Sequence, residues 1–139
     1  MTHQETLQET LQLAAQKLKA GAPEEALAVL ESQRDLCAHA ADFWQLLALA
    51  HKGMGDSAAA EAAFTSSIAI DPQPHVLTNL ANLHRSLRQA ETALAYYDQA
   101  LALAPDHLPA QINRARALLD LNRYSDARLA FQTILQANP

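Results

Sequence analysis

Three asparagines carry the most chemical promise in this chain. Asn79 and Asn82 sit three residues apart in the stretch NLANLH, residues 79–84, and Asn113 follows further along, in a similar setting. Asparagine is a mediocre helix former, because its amide competes for nearby backbone groups. These three nevertheless interrupt runs of alanine and leucine that otherwise read as helix. A side-chain amide offers donors and an acceptor at once, so it can pair with the backbone of an extended peptide whatever that peptide's sequence. Other chemistry thins out quickly. The histidines, His3, His39, His51, His75, His84 and His107, include no pair at i+3 or i+4, the spacing that puts two metal ligands on one helix face. A site built from His75 and His107 has no spacing support, and His51 and His84 read as packed interior residues. Cys37 near His39 matches no nucleophile motif, and a buried, inert thiol is expected there. Three glycines cannot build a phosphate-cradling loop. Carboxylates are scattered in the pattern of solvated helix surfaces. No catalytic residue, metal site or cofactor is expected, and the chain is not read as an enzyme.

The elements that must position these asparagines follow from composition. Half of the 139 residues are hydrophobic and only 5% are aromatic, a balance of alanine and leucine that favours helix over sheet. The net charge of −5 argues against nucleic acid as the main partner. A single cysteine excludes an internal disulfide and fits a reducing compartment. The opening MTHQETLQET has neither the basic nor the apolar region of a signal peptide. No apolar run approaches the roughly 20 residues that span a bilayer. A cytoplasmic helical protein with no membrane partner is the expectation.

The chain repeats itself. Residues 47–72, LALAHKGMGDSAAAEAAFTSSIAIDP, align without a gap on residues 80–105, LANLHRSLRQAETALAYYDQALALAP, and on residues 114–139, RARALLDLNRYSDARLAFQTILQANP. A more diverged copy begins at Leu13. Ala14, Ala48, Ala81 and Ala115 mark one register; Ala26, Ala60, Ala93 and Ala127 follow twelve residues later. Leu30, Phe64, Tyr97 and Phe131 come four residues further, and these markers recur at steps near 34. Small residues let two antiparallel helices approach, and the larger side chain fills the space beside them. Gly21 and Gly55 fall where a first helix should end. Pro23, Glu24 and Glu25 suit a first turn, and Asp56 and Ser57 suit N-caps. The helices are expected at 5–20, 23–37, 41–54, 57–70, 74–87, 90–103, 108–121 and 124–137. Arg114 holds a place where Leu13, Leu47 and Leu80 recur; its stem should pack and its head should reach solvent or a carboxylate.

A period near 34 made of two helices resembles the tetratricopeptide repeat (TPR) family. Trp44, Leu47 and Ala48 match its W-x2-L-small pattern; Ala60/Phe64, Ala93/Tyr97 and Ala127/Phe131 match its A-x3-aromatic pattern; Pro72, Pro105 and Pro139 match its closing proline. The resemblance covers residues 7–139. It implies an all-α fold, a right-handed α-α superhelix of four helix-turn-helix repeats at about 7–40, 41–73, 74–107 and 108–139, forming a single domain over 1–139.

The resemblance also implies a function. First helices of such repeats line a concave face, where asparagines often bond a ligand's backbone. Six positions per repeat should face inward, and they include Lys19, Lys52, Arg85 and Arg116 against Asp42 and Asp120, a net of +2; the remaining residues must carry −7 to reach −5. A basic groove in an acidic surround favours an acidic ligand. The expected function is therefore a protein–protein interaction module that holds an extended, acidic peptide, with Asn79, Asn82 and Asn113 on its backbone and Lys52, Arg85 and Arg116 on its acidic groups. A clamp for a C-terminal carboxylate is not expected: its partner places hold Leu11, Ala15, Pro109 and Asn113, or Gln45, Leu49 and His75 beside Asn79. The alternative function is a non-catalytic regulatory or substrate-docking N-terminal arm of a larger multidomain enzyme, or a scaffold that homodimerises end to end. Family members usually add a solvating helix after the last repeat. Here Leu129, Phe131, Ile134 and Leu135 should leave apolar surface bare, to be met by a missing C-terminal domain or, in a homodimer, by a second copy.

Overall fold

The computed structural model describes residues 2–139, and among these every regular element is an α-helix. The chain divides into two compact units, Met1–Pro72 and Gln73–Pro139. The first holds α1 (His3–Lys19), α2 (Pro23–Ser32), α3 (Arg34–Cys37), α4 (Ala41–Gly53) and α5 (Ser57–Ile70). The second holds α6 (Pro74–Ser86), α7 (Ala90–Leu103), α8 (Leu108–Asp120) and α9 (Tyr124–Ala137).

The two alanine series carry the packing. All eight, Ala14, Ala48, Ala81 and Ala115 on first helices and Ala26, Ala60, Ala93 and Ala127 on second helices, are 0% exposed. Leu30, Phe64 and Tyr97 are buried beside them. Phe131 holds the same register on α9 but is only half-buried. Leu129 and Leu135 on that helix are 65% and 67% exposed, so the last helix does present bare apolar surface. Arg114 behaves as its position demands: half-buried, it donates from Nε to Asp98 Oδ1 at 2.7 Å.

One turn design closes the first helix of every repeat. The N–H of Gly55 bonds to the Lys52 carbonyl at 3.0 Å and the N–H of Asp56 to the His51 carbonyl at 2.9 Å, which is the Schellman motif. The same two bonds recur at Gly21/Ala22, Arg88/Gln89 and Asn122/Arg123. The motif needs a left-handed residue, and Gly21, Gly55, Arg88 and Asn122 have φ of 74°, 80°, 62° and 60°. Only the first two are glycine, so residue type marks the left-handed position in half of the turns.

Three local expectations are corrected, at Ser57, along 23–37 and at His51. The first helix begins at His3, near its expected start, because Thr2 and Glu5 form a capping box, each backbone N–H bonded to the other's side chain at 3.1 Å. Asp56 is an N-cap, accepting from the Ala59 N–H at 3.1 Å, but Ser57 is already the first helical residue. The helix expected over 23–37 breaks at Gln33, where φ and ψ are −117° and 15°. The Ser32 hydroxyl takes the Val29 carbonyl at 2.7 Å. The break is compensated by Trp44: the Arg34 guanidinium lies 4.9 Å from its ring centroid, and its Nε1 donates to the Ala38 carbonyl at 2.7 Å. His84 is buried as expected, with Nδ1 2.6 Å from Gln89 Oε1 and its ring stacked on Tyr96, whereas His51 is only half-buried.

Candidate functional site

The second unit gathers most of the singled-out residues. Val76, Leu77, Leu80, Ala81 and Leu83 bury one side of α6. The helical period then turns Asn79, Asn82 and Arg85, each half-buried, along another side. On α8, Ala115, Ala117 and Leu118 are buried and Asn113 and Arg116 lie on the more open flank.

Tertiary bonds fix this face. The Tyr97 hydroxyl on α7 donates to Asn82 Oδ1 at 2.5 Å. Burial of the phenol, opposed first by Arg85, pushes its pKa up to about 12, so it remains a proton donor at every physiological pH. The bond uses Oδ1 of Asn82 only. Arg85 donates from Nε to Asp120 Oδ2 at 2.7 Å and ties α6 to α8. Arg116 reaches Asn113 Oδ1 from Nη1 at 3.3 Å. The Asn79 side chain makes no hydrogen bond among the described residues. An open cleft of about 700 Å³ lies beside Asn82, Arg85 and Asp120, with Ser86, Arg88 and Glu91 also in its lining; Asn79, Asn113 and Arg116 stand outside it. The arrangement offers amide donors and acceptors with guanidinium charge, the equipment of recognition.

The remaining residue, Lys52, stands exposed on α4 of the first unit. The corresponding stretch of that unit is apolar: Ala15, Leu18, Leu46 and Leu49, with Gln16 and Lys19, line a shallow cleft of about 460 Å³. Arg88, Tyr97 and the Arg85–Asp120 pairing were not found by sequence reasoning. Arg88 had a signal, since it stands in the register of Gly21 and Gly55. The bonds from Tyr97 to Asn82 and from Arg85 to Asp120 join residues 15 and 35 apart and had none.

Among the described residues, no group of histidine, cysteine and carboxylate side chains is arranged to hold a metal ion, and no helix is long and apolar enough to cross a membrane.

Family models described as tetratricopeptide repeat match residues 41–74 and 85–139. Protein FlbA of Caulobacter vibrioides is 31% identical over 97 residues, covering 69% of this chain and 16% of FlbA. The chain thus spans about a sixth of the length of that curated relative. Among solved structures, MamA from Desulfovibrio magneticus RS-1 superposes with a TM-score of 0.82 at 18% identity, covering 96% of this chain and 76% of MamA. YrrB, a TPR protein with an unusual peptide-binding site, gives a TM-score of 0.77 at 16% identity, covering 100% of this chain and 76% of YrrB. At these identities both structures show the fold.

Proposed function

The chain belongs to the tetratricopeptide repeat family, and from that premise we propose that it is a protein–protein interaction module that holds an extended, acidic segment of a partner along α6 and α8. The observation that carries this reading is the placing of Asn82 and Arg85 on a cleft of about 700 Å³, with Asn113 and Arg116 on α8, the helix that the Arg85–Asp120 bond ties to α6. Asn79 bonds the peptide backbone through both ends of its amide, while Asn82 and Asn113 contribute their Nδ2 donors, their Oδ1 atoms being held by Tyr97 and Arg116. Arg116 meets carboxylates, and Arg85 does so only through the N–H groups that its pairing with Asp120 leaves over. Lys52, exposed on α4, is a candidate cation of the first unit taken by itself. The peptide-binding site of YrrB supports this class of ligand. Cys37 is free and buried, which fits a reducing, cytoplasmic setting.

The test is selection of random displayed peptides on the full chain, repeated on a variant carrying Asn79→Ala, Asn113→Ala and Arg116→Ala and shown by circular dichroism to be folded. Peptides enriched in aspartate and glutamate, lost on the variant, are expected. Neutral or basic peptides, or peptides retained equally by the variant, would refute the reading.

A further inference from the structure

A second cleft lies on the far side of α8. Gln111, Arg114 and Leu118 recur at i, i+3 and i+7, and at about 100° per residue they turn away from Asn113, Arg116 and Asp120. With Leu101 of α7 and Ala130 and Ile134 of α9 they line an open cleft of about 410 Å³.

The repeat register shows what this cleft lacks. Ala130 stands one repeat after Tyr96, and Gln111 stands two repeats after Trp44. In the third repeat the Tyr96 ring stacks on His84 at 5.4 Å; Ala130 and Leu118 hold those two places in the fourth. In the first unit Trp44 lies under the guanidinium of Arg34, which Glu31 holds through Oε1 at 3.0 Å. Asp98 has the register of Glu31, and it grips Arg114 at 2.7 Å on the wall of the cleft. Asp98 of the third repeat and Arg114 of the fourth, which has the register of Leu47 rather than of Arg34, thus set an acid–arginine pair on the wall of the cleft, and no aromatic ring lines it.

We propose that this cleft is a docking site for an aromatic side chain, tryptophan or tyrosine, on a segment of a partner protein. The incoming ring takes up the space between Gln111 and Ala130, which hold the registers of Trp44 and of Tyr96. Arg114 and Arg123, the two cations at the cleft, are each paired with a carboxylate, Asp98 at 2.7 Å and Asp126 at 2.9 Å. The walls thus carry no net charge, which suits a neutral occupant, and a fixed guanidinium at a ring face favours an aromatic over an aliphatic one. The volume falls within the usual range of ligand pockets, about 300–1,000 Å³. Because this face is opposite the amide-bearing one, the two proposals succeed or fail separately.

The experiment is a titration of the isotope-labelled full chain with N-acetyl-tryptophanamide, N-acetyl-tyrosinamide and N-acetyl-leucinamide, followed by amide correlation spectra. Both aromatic probes should shift Gln111, Leu118 and Ala130 saturably and bind at least about threefold tighter than the leucine probe. Ala130→Tyr should abolish the shifts by supplying the ring internally, and Gln111→Trp does the same should the first variant fail to fold. The proposal is overturned if the leucine probe binds equally well, if no saturable shift occurs, or if the shifts survive in a folded variant with the cleft filled. It is also overturned if these residues broaden with protein concentration, since a second copy would then cover the cleft.

Discussion

Replacing Arg88 with glycine should stabilise this protein while weakening its grip on acidic peptides. Arg88 holds φ of 62° at a turn where Gly21 and Gly55 hold the same left-handed conformation at 74° and 80°. A left-handed residue with a Cβ costs about 1–2 kcal/mol. Glycine removes that strain but frees the unfolded chain by about 0.5–1 kcal/mol, leaving a net gain of about 0.5–1 kcal/mol. Little is lost in return. The two bonds of the turn, at 3.0 and 2.9 Å, run between backbone atoms, and the Arg88 side chain is exposed and makes no hydrogen bond among the described residues. Asn122→Gly is the matched control. Asparagine tolerates the left-handed region, and Asn122 Oδ1 accepts from the Tyr124 hydroxyl at 2.8 Å, so its gain should be near zero. Urea denaturation of the full chain, extrapolated linearly, measures both. The midpoint for Arg88→Gly should rise at constant slope. Arg88 also lines the 700 Å³ cleft, so the binding of acidic peptides at low salt should fall about two- to fivefold. An unchanged or lowered midpoint, or an equal gain from Asn122→Gly, would refute the strain argument.

Other perturbations follow from the same geometry. Gly53→Ala places a Cβ 2.9 Å from Pro23 Cβ; the pyrrolidine ring cannot yield, so the urea midpoint should fall by the equivalent of about 1–2 kcal/mol even though alanine is the better helix former, and a stabilised variant would contradict this close approach. Tyr97, with its pKa raised to about 12 from 10, keeps its proton longer in the folded than in the unfolded protein. Its contribution is therefore complete below pH 10 and lost as pH rises through about 12, a loss of about 2–3 kcal/mol that Tyr97→Phe should abolish in alkaline denaturation. Asp120→Asn releases Arg85 from a half-exposed ion pair worth about 0.2–1 kcal/mol. Acidic peptides should then bind several-fold tighter at low salt, an advantage that fades as ionic strength rises, and weaker binding would show that the ion pair shapes the face rather than competing with the ligand.

The parts of this fold that the sequence disclosed are those where one residue type answers one physical demand. Eight alanines recur at the helix crossings because only a small side chain fits there, and all eight are fully buried. The turns after residues 87 and 121 were expected, but the left-handed conformation of Arg88 and Asn122 showed only through their register with Gly21 and Gly55, because the backbone bonds of the turn do not depend on the side chain and neither residue advertises a positive φ as glycine does. The break at Gln33 was hidden for another reason: it is supported by Trp44, eleven residues ahead and on a different helix. At the candidate site, the faces of α6 and α8 could be read from spacing. The pairing of Arg85 with Asp120, which ties up one of the expected cations, depends on two helices meeting and could not.

The short reach of the alanine register governs time as well as shape. The two alanine positions in each repeat are twelve residues apart, and in both units the dominant contacts join helices adjacent in the chain, as α4 does with α5 and α6 with α7. Only small loops must close before such contacts form. Helical proteins dominated by local contacts fold in about microseconds to milliseconds. During synthesis at about 5–20 residues per second, each helical hairpin can therefore complete itself almost as soon as its second helix clears the ribosome, long before the next has been made.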